Sequence, residues 1–237
     1  MDGFLSIACA IGIVLALGLA FGLADRKSFA PGYLLLAGLL VFANDLALTR
    51  GYGLIPDFAG GGWNWTGKLL ALALTLAVAA RPQFGWKAIG LTLEQKREGR
   101  PVTWAVAALL AALFTIPALL SAPDAHTTED LAFQLTLPGL EEEPFYRGLL
   151  LLALARAFAG RWRFAGIDWH WGALLSCLAF GLAHALGWSE GAPQFDAIAF
   201  ALTGGPALLL VWLRERTGSL LLPVVLHNYA NAISYVV

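Results

Sequence analysis

Long apolar runs separated by short polar segments dominate the pattern along the chain. Eight runs can be read as helical spans of about 18 to 22 residues, long enough to cross a hydrocarbon layer of roughly 30 Å. The predicted spans cover residues 3–24, 31–48, 63–80, 102–121, 137–157, 171–188, 195–213 and 219–237. The pattern therefore predicts an all-α, polytopic membrane protein with eight transmembrane helices.

Two other interpretations of the apolar runs fit less well. A membrane β-barrel would need alternating segments of roughly 10 residues, and the sequence has none. The run at 3–24 lacks a preceding basic region, is too long for the apolar part of a signal peptide and is followed by Arg26 and Lys27. We therefore expect a retained first helix.

Composition agrees with a membrane location. The 237 residues are 59% hydrophobic and only 13% charged, with a mean hydropathy of +0.70. Soluble domains have about 45–50% apolar and about 25% charged residues. The net charge of −1 gives no basic footprint, so no nucleic-acid partner is expected. Cys9 and Cys177 both lie in apolar runs, and we expect no disulfide.

The distribution of basic residues predicts an orientation. The segments after spans 1, 3, 5 and 7, with the end of span 5, carry Arg26, Lys27, Arg81, Lys87, Lys96, Arg97, Arg100, Arg156, Arg161, Arg163, Arg214 and Arg216. The opposite segments carry only Arg50. The positive-inside rule then places both termini outside the cytoplasm in a plasma (inner) membrane. Lys68 lies near a span end and is expected to snorkel to the interface.

Several polar side chains fall inside the spans, where a charge costs at least a few kcal/mol and marks a functional candidate. They are Asn44, Asp45, Glu141, Glu142, Glu143, Arg147, His184, His227, Asn228 and Asn231. With the orientation above, all of them fall in the outer half of the membrane. This common depth predicts one shared site.

Helical geometry separates the roles of the two glutamates beside Arg147. Glu143 and Arg147 are four residues apart and can pair on one helix face. Glu142 points about 100° away and has no cation on its own helix, so it is the candidate reactive carboxylate. Pro144 removes a helical hydrogen bond and should open the helix beside the glutamates, which suits a water-filled cavity.

Each of these signals also has a structural interpretation. A single transmembrane histidine is usually a helix–helix hydrogen-bond partner, and a Glu/Arg pair is often only a clamp. Asp45 with Asn44 fits a structural role equally well. Cys177 lies seven residues before His184 and permits a Cys–His arrangement, but its apolar surroundings disfavour a thiolate.

Three segments carry a resemblance to a known family. Residues 142–147, 180–184 and 227–231 match the patterns EExxxR, FxxxH and HxxxN in that order on separate spans. The chain resembles the CPBP family of intramembrane proteases, which includes CAAX prenyl proteases and bacteriocin-processing or immunity (Abi) proteins. The resemblance covers roughly residues 100–237. We therefore divide the chain into residues 1–100, with spans 1–3 and a basic cytoplasmic loop, and a catalytic core at 101–237.

The resemblance implies a CAAX-protease-like helical bundle that hydrolyses peptide bonds within the membrane. It implies a catalytic group of Glu142, His184, His227 and Asn231, supported by Glu143 and Arg147. Glu142, His184 and His227 could also hold a divalent metal ion, most simply zinc, with one position open for water. The compact HExxH arrangement is missing, so metal-bound and metal-free activation of water both stay open.

The expected function is an intramembrane endopeptidase in a bacterial plasma membrane, with its site near the outer leaflet. Its expected partners are the lipid bilayer and a membrane-embedded or lipid-tethered protein substrate. The acidic segment with Asp124, Glu129 and Asp130 could meet a basic flank on that substrate. The alternatives are a transporter or proton relay, and an immunity or scaffold protein without catalysis.

Overall fold

The computed structural model describes residues 2–121 and 125–237, and most of them are helical. The α-helices are α1 (Asp2–Ala24), α2 (Pro31–Leu48), α3 (Trp65–Ala79), α4 (Arg100–Leu120), α5 (Thr128–Gln134), α6 (Leu137–Glu143), α7 (Leu151–Ala157), α8 (Trp171–Ala185), α9 (Ala197–Thr217) and α10 (Leu221–Ala232). Short 3-10 helices cover Arg26–Ser28 and Ile233–Tyr235. The strands are β1 (Trp162–Phe164), β2 (Ile167–Trp169), β3 (Leu186–Ser189) and β4 (Ala192–Phe195).

Within the described residues, four helices are long and apolar enough to cross a membrane: α1, α2, α4 and α9. Helices α3 and α8 are apolar but have 15 residues each. The side chain of Asn64 accepts a hydrogen bond from the Gly67 amide, so α3 begins two residues later than predicted. The fold is therefore a mostly helical one whose long apolar helices suit a membrane.

The predicted span at 137–157 is one helical run with a change of winding in its middle. Helix α6 leads into a π-helical segment at Pro144–Leu150, which continues into α7. The proline has no backbone N–H and cannot make the normal helical hydrogen bond. The run therefore widens directly after the glutamates without breaking.

Two β-hairpins lie between the helices, and the second corrects two predicted helix ends. Strand β1 pairs with β2 around Ala165 and Gly166, whose φ angles are 50° and 81°. Strand β3 pairs with β4 around Glu190 and Gly191, at 52° and 76°. Two residues with positive φ suit a tight hairpin turn. The predicted end of one span at 188 and the start of the next at 195 were wrong because these residues are in β3 and β4.

Helices α8 and α9 pack closely through glycines. A Cβ on Gly181 would lie 2.7 Å from the Phe200 ring and 3.3 Å from the Gly204 Cα, so α9 leaves no room for a side chain at Gly181. Helix α9 continues through Pro206 to Thr217. This contact holds α8, which carries His184, against α9, which also lines the central cavity.

Basic side chains from two helices bind the segment after α3 at one end of the bundle. Arg156 donates to the Gln83 carbonyl at 2.7 Å, and Arg214 donates to the Ala88 carbonyl at 2.8 Å. Arg156 lies near the C-terminal end of α7, whereas Glu142 lies near the other end of the same helical run. The candidate site is therefore displaced from the basic end.

Candidate active site

A cavity of about 470 Å³ lies between the helices on the side of α6 that carries Glu142. Its polar lining includes Lys68, Gln134, Glu142, His184, Thr203, His227 and Asn231, and its apolar lining includes Leu110, Phe114, Phe133, Leu202, Leu210 and Leu226. The predicted catalytic residues all line this single cavity. Helices α6, α8 and α10 each contribute at least one of them.

The Glu142 carboxylate faces two imidazole rings. Its Oε2 lies 3.7 Å from the His184 Nε2 and 3.7 Å from the His227 Nε2. Within the described part of the chain, this buried oxygen has no hydrogen-bond partner. One carboxylate oxygen and two imidazole nitrogens thus converge from three helices, which is an arrangement suited to moving a proton.

Both rings are oriented through their other nitrogen. The His184 Nδ1 lies 2.8 Å from the Phe180 carbonyl oxygen, and the His227 Nδ1 lies 2.7 Å from the Glu143 Oε1. A carbonyl can only accept, so the His184 Nδ1 carries the hydrogen in this contact. In a neutral ring the His184 Nε2 therefore holds the lone pair that faces Glu142.

Glu143 and Arg147 form the pair that their spacing predicts. Arg147 Nη1 lies 3.1 Å from the Glu143 Oε1, and both side chains are at most 1% exposed. The Arg147 guanidinium also lies over the Phe180 ring, 4.0 Å from its centroid. The EExxxR and FxxxH segments are thus in direct contact, and Glu143 connects both to His227.

The two asparagines of α10 face different surroundings. Asn231 lines the cavity one helical turn after His227. Asn228 accepts a hydrogen bond from the Gly139 amide at 2.7 Å and donates to the Thr136 carbonyl at 3.0 Å. Asn228 therefore anchors the start of α6, and Asn231 is the α10 amide that lines the cavity.

Lys68 occupies a place that the sequence analysis did not anticipate. The expectation that it snorkels to the interface was wrong, because the side chain is directed inward and is 9% exposed. Its Nζ lies 2.8 Å from the Glu141 Oε2 and also binds the Glu142 Oε1. Asn44 donates to the Glu141 Oε1 at 3.2 Å. The sequence signal that could have predicted this cluster is the presence of Lys68 and Glu141 in two spans at a similar predicted depth.

Asp45 and Cys177 do not line the central cavity among the residues described. Asp45 accepts a hydrogen bond from the Tyr52 hydroxyl at 2.6 Å and borders a separate cavity of about 210 Å³. Cys177 is buried beside Phe200 in a third, apolar cavity. The structure therefore separates the thiol from the cavity that contains His184.

The acidic segment before α6 has structural partners. Glu129 accepts from the Trp65 indole at 3.0 Å, and Asp130 accepts from the Trp63 indole at 2.6 Å. Hydrogen bonds from the Thr127 backbone and the Trp63 side chain lower the pKa of Asp130. These contacts attach α5 to the start of α3. Asp124 lies outside the described residues.

The donor types at Glu142, His184 and His227 fit a divalent metal ion, because both Nε2 atoms and one carboxylate oxygen face the same space. Glu143 supplies the outer hydrogen bond that metal-binding histidines usually have. Among the described residues, however, no group of three or more His, Cys, Asp or Glu side chains is arranged to hold a metal ion. The zinc site stays a prediction.

Comparison with known proteins agrees with the motifs. Residues 124–233 match the family model described as "Type II CAAX prenyl endopeptidase Rce1-like". This region is Rce1-like. The match confirms the resemblance to the CPBP family, and the Rce1-like region contains Glu142, His184, His227 and Asn231. Lys68 lies outside it. No curated protein and no solved structure matches the chain significantly.

Proposed function

We propose that this protein is an intramembrane endopeptidase that cleaves a membrane-embedded or lipid-tethered protein. The observation that carries the proposal is the convergence of the Glu142 Oε2 with the Nε2 atoms of His184 and His227 in one cavity. The Rce1-like match supports a CAAX-type protease. A carboxylate beside two imidazoles supplies the acid–base groups that hydrolysis of a peptide bond requires.

In the proposed reaction, Glu142 and His184 activate the attacking water. Glu142 takes one proton from water as the new C–O bond forms at the scissile carbonyl carbon. The same proton then passes to the leaving amine nitrogen as the C–N bond breaks. The products are a carboxylic acid and an amine, and no electron transfer is needed. Glu142 returns to its carboxylate form.

His227 and Asn231 are proposed to bind the oxygen that becomes negative in the tetrahedral intermediate. The Asn231 amide can donate without a change of charge. His227 keeps a hydrogen on Nδ1 for Glu143, so it can donate from Nε2 only as an imidazolium. The Glu143 carboxylate, 2.7 Å away, accepts the Nδ1 hydrogen and orients the ring. Glu143 and Arg147 thus support catalysis by holding His227.

Zinc belongs to this proposal as a separate prediction. Glu142, His184 and His227 are the side chains that would hold it, and a bound zinc ion lowers the pKa of its water. Each step described above uses the protein's own side chains.

The apolar lining of the cavity is suited to an apolar segment of the substrate. Leu110, Phe114, Leu202, Leu210 and Leu226 line it alongside the polar groups. An extended apolar peptide can bury its side chains against this wall while its scissile carbonyl approaches Glu142. A prenylated or membrane-spanning segment has the required chemistry.

We further propose an eight-span topology with both termini outside the cytoplasm and the site near the outer leaflet of a plasma membrane. The eight apolar runs of the sequence support the number of spans. The arginines at one end of the bundle support the orientation, since basic ends face the cytoplasm. Glu142 lies toward the opposite end of its helical run. The proposed partners are the bilayer and the protein substrate.

The experiment compares the C-termini of membrane proteins in cells that make the wild-type chain or Glu142→Gln. We expect at least one C-terminus that depends on the wild type, with cleavage reduced about 100-fold or more in the variant. His227→Ala should behave in the same way, whereas Cys177→Ala, outside the cavity, should cleave normally. Identical C-termini with all four proteins would contradict proteolysis and favour a transport or scaffold role.

A further inference from the structure

We propose that Lys68 is a positioning residue for proteolysis, whose ammonium holds the Glu142 carboxylate with Oε2 toward the two imidazoles. The inference rests on the proposed function and deepens it, because it adds a residue from α3 to a site otherwise built from the Rce1-like region. It also gives residues 1–100 a part in orienting the reactive carboxylate.

The two oxygens of the Glu142 carboxylate have different surroundings. The ammonium binds Oε1, while Oε2 lies 3.7 Å from each imidazole Nε2 and has no hydrogen-bond partner within the described chain. A glutamate side chain has three rotatable bonds and would otherwise sample several orientations. A charge-assisted hydrogen bond at one oxygen restricts the carboxylate and leaves the other oxygen for the reaction.

Lys68 is itself held from the opposite side. Glu141 is fully buried, its Oε2 lies 2.8 Å from the Lys68 Nζ, and its Oε1 accepts from Asn44. The ammonium therefore sits between carboxylates on two successive residues of α6. Because Glu141 is buried and charged, its contact with the ammonium holds Lys68 beside α6, next to Glu142.

Burial makes this arrangement more than a surface ion pair. Lys68 is 9% exposed and the Glu142 side chain is 12% exposed, so water screens their attraction only weakly. Exposed pairs such as Lys87–Glu94, about 80% exposed, contribute little. A buried cation that touches the reactive carboxylate can fix its orientation before substrate enters, which lowers the barrier to reaction.

A purely structural clamp would make the same contacts, so the test must separate the two roles. Lys68→Met removes the cation, and Lys68→Arg keeps it with altered geometry. The double variant Lys68→Met/Glu141→Gln removes one positive and one negative charge, which leaves the net charge of the cluster unchanged. Lys87→Met is the matched control, because it removes an exposed lysine far from the cavity.

The measurement is the kcat and KM of purified variants in detergent, on a peptide spanning a cleavage site found in the comparison of C-termini. We expect kcat to fall about 10- to 100-fold in Lys68→Met and in the double variant, with KM within about twofold of wild type. Lys68→Arg should recover part of kcat, and Lys87→Met should match wild type. Thermal unfolding of the double variant should occur near the wild-type temperature.

Wild-type kcat in the double variant would overturn the proposal, because Lys68 would then only neutralise Glu141. A change confined to KM would overturn it as well. If Lys68→Met fails to fold, the double variant and Lys68→Arg still decide the outcome. Normal kcat in Lys68→Met alongside inactive Glu142→Gln would reject this inference and leave the proteolytic function intact. Normal cleavage by Glu142→Gln would reject the function itself.

Discussion

His227 Nδ1 lies 2.7 Å from the Glu143 Oε1, and this contact links two motifs that are 84 residues apart. The same Glu143 oxygen lies 3.1 Å from Arg147 Nη1, and the arginine rests on the Phe180 ring. A buried series of contacts thus connects Phe180 of α8, Arg147 of the π-helical segment and, through Glu143, His227 of α10. Glu143 orients the His227 ring through Nδ1, while the other ring nitrogen, Nε2, lies 3.7 Å from the Glu142 Oε2.

Arg147 is predicted to be essential for stability because it balances a buried charge. Arg147→Met leaves Glu143, which is fully buried, without its cation, and should cost about 3–5 kcal/mol of unfolding free energy. The double variant Arg147→Met/Glu143→Gln removes both charges and should recover most of that loss. Unfolding of the purified proteins by denaturant in detergent measures both. Wild-type stability in Arg147→Met would contradict this account of the pair.

Removal of metal tests the predicted zinc site. If Glu142, His184 and His227 hold zinc, purified protein should contain about one zinc per chain and lose activity with a chelator. Added zinc should then restore cleavage, and His184→Ala should bind less metal than wild type. Metal analysis and activity assays on the same samples give the result. Full activity in protein stripped of metal would reject the zinc prediction and leave water activation to the side chains.

Because α7 and α8 pack closely at Gly172, an alanine there should destabilise the fold more than an alanine at Gly205. A Cβ on Gly172 would lie 2.5 Å from the Leu154 carbonyl carbon and oxygen, so Gly172→Ala forces the two backbones apart. We expect a loss of about 1–3 kcal/mol, measured by unfolding in detergent. Gly205→Ala is the control, because nothing lies within 4 Å of its Cβ. Equal stability of the two variants would show that the contact is absent.

Stability should fall in acid because of His170, the residue that caps α8 by accepting from the Ala173 amide at 3.1 Å. Burial, with a smaller effect of Arg161, lowers the pKa of His170 from 6.5 to about 3. Between these values the unfolded chain binds an extra proton. The stabilisation is therefore complete above about pH 6.5 and falls as the pH is lowered, by at most about 1.4 kcal/mol per pH unit.

His170→Asn tests this dependence because asparagine also caps helices but does not titrate. We expect the variant to lose less thermal stability than wild type between pH 7.5 and pH 5, measured in the same detergent. Other groups also titrate in this range, so the difference between the two proteins is the relevant quantity. Equal losses in both proteins would mean that His170 is protonated without cost in the folded state.

Local sequence was sufficient for much of the helical framework. The predicted bounds 31–48 and 137–157 coincide with helical runs. They could be predicted because an apolar run and a proline affect the backbone only within a few residues. The pairing of Glu143 with Arg147 also follows from helical spacing alone. The β3–β4 hairpin was missed because short strands with Trp and Leu do not differ in composition from the ends of apolar helices. The β1–β2 hairpin lies between two predicted spans, in a segment for which no element was predicted.

The sequence by itself determined an apolar, helical chain with an ordered set of motif residues, because helix formation and membrane partition depend on neighbouring residues. Only the tertiary structure decided which cation meets Glu142. Lys68 is 74 residues away from it, and the choice between solvent and a buried carboxylate depends on how α3 packs against α6. An ion pair forms between atoms that are close in space, and the fold alone brings these two together.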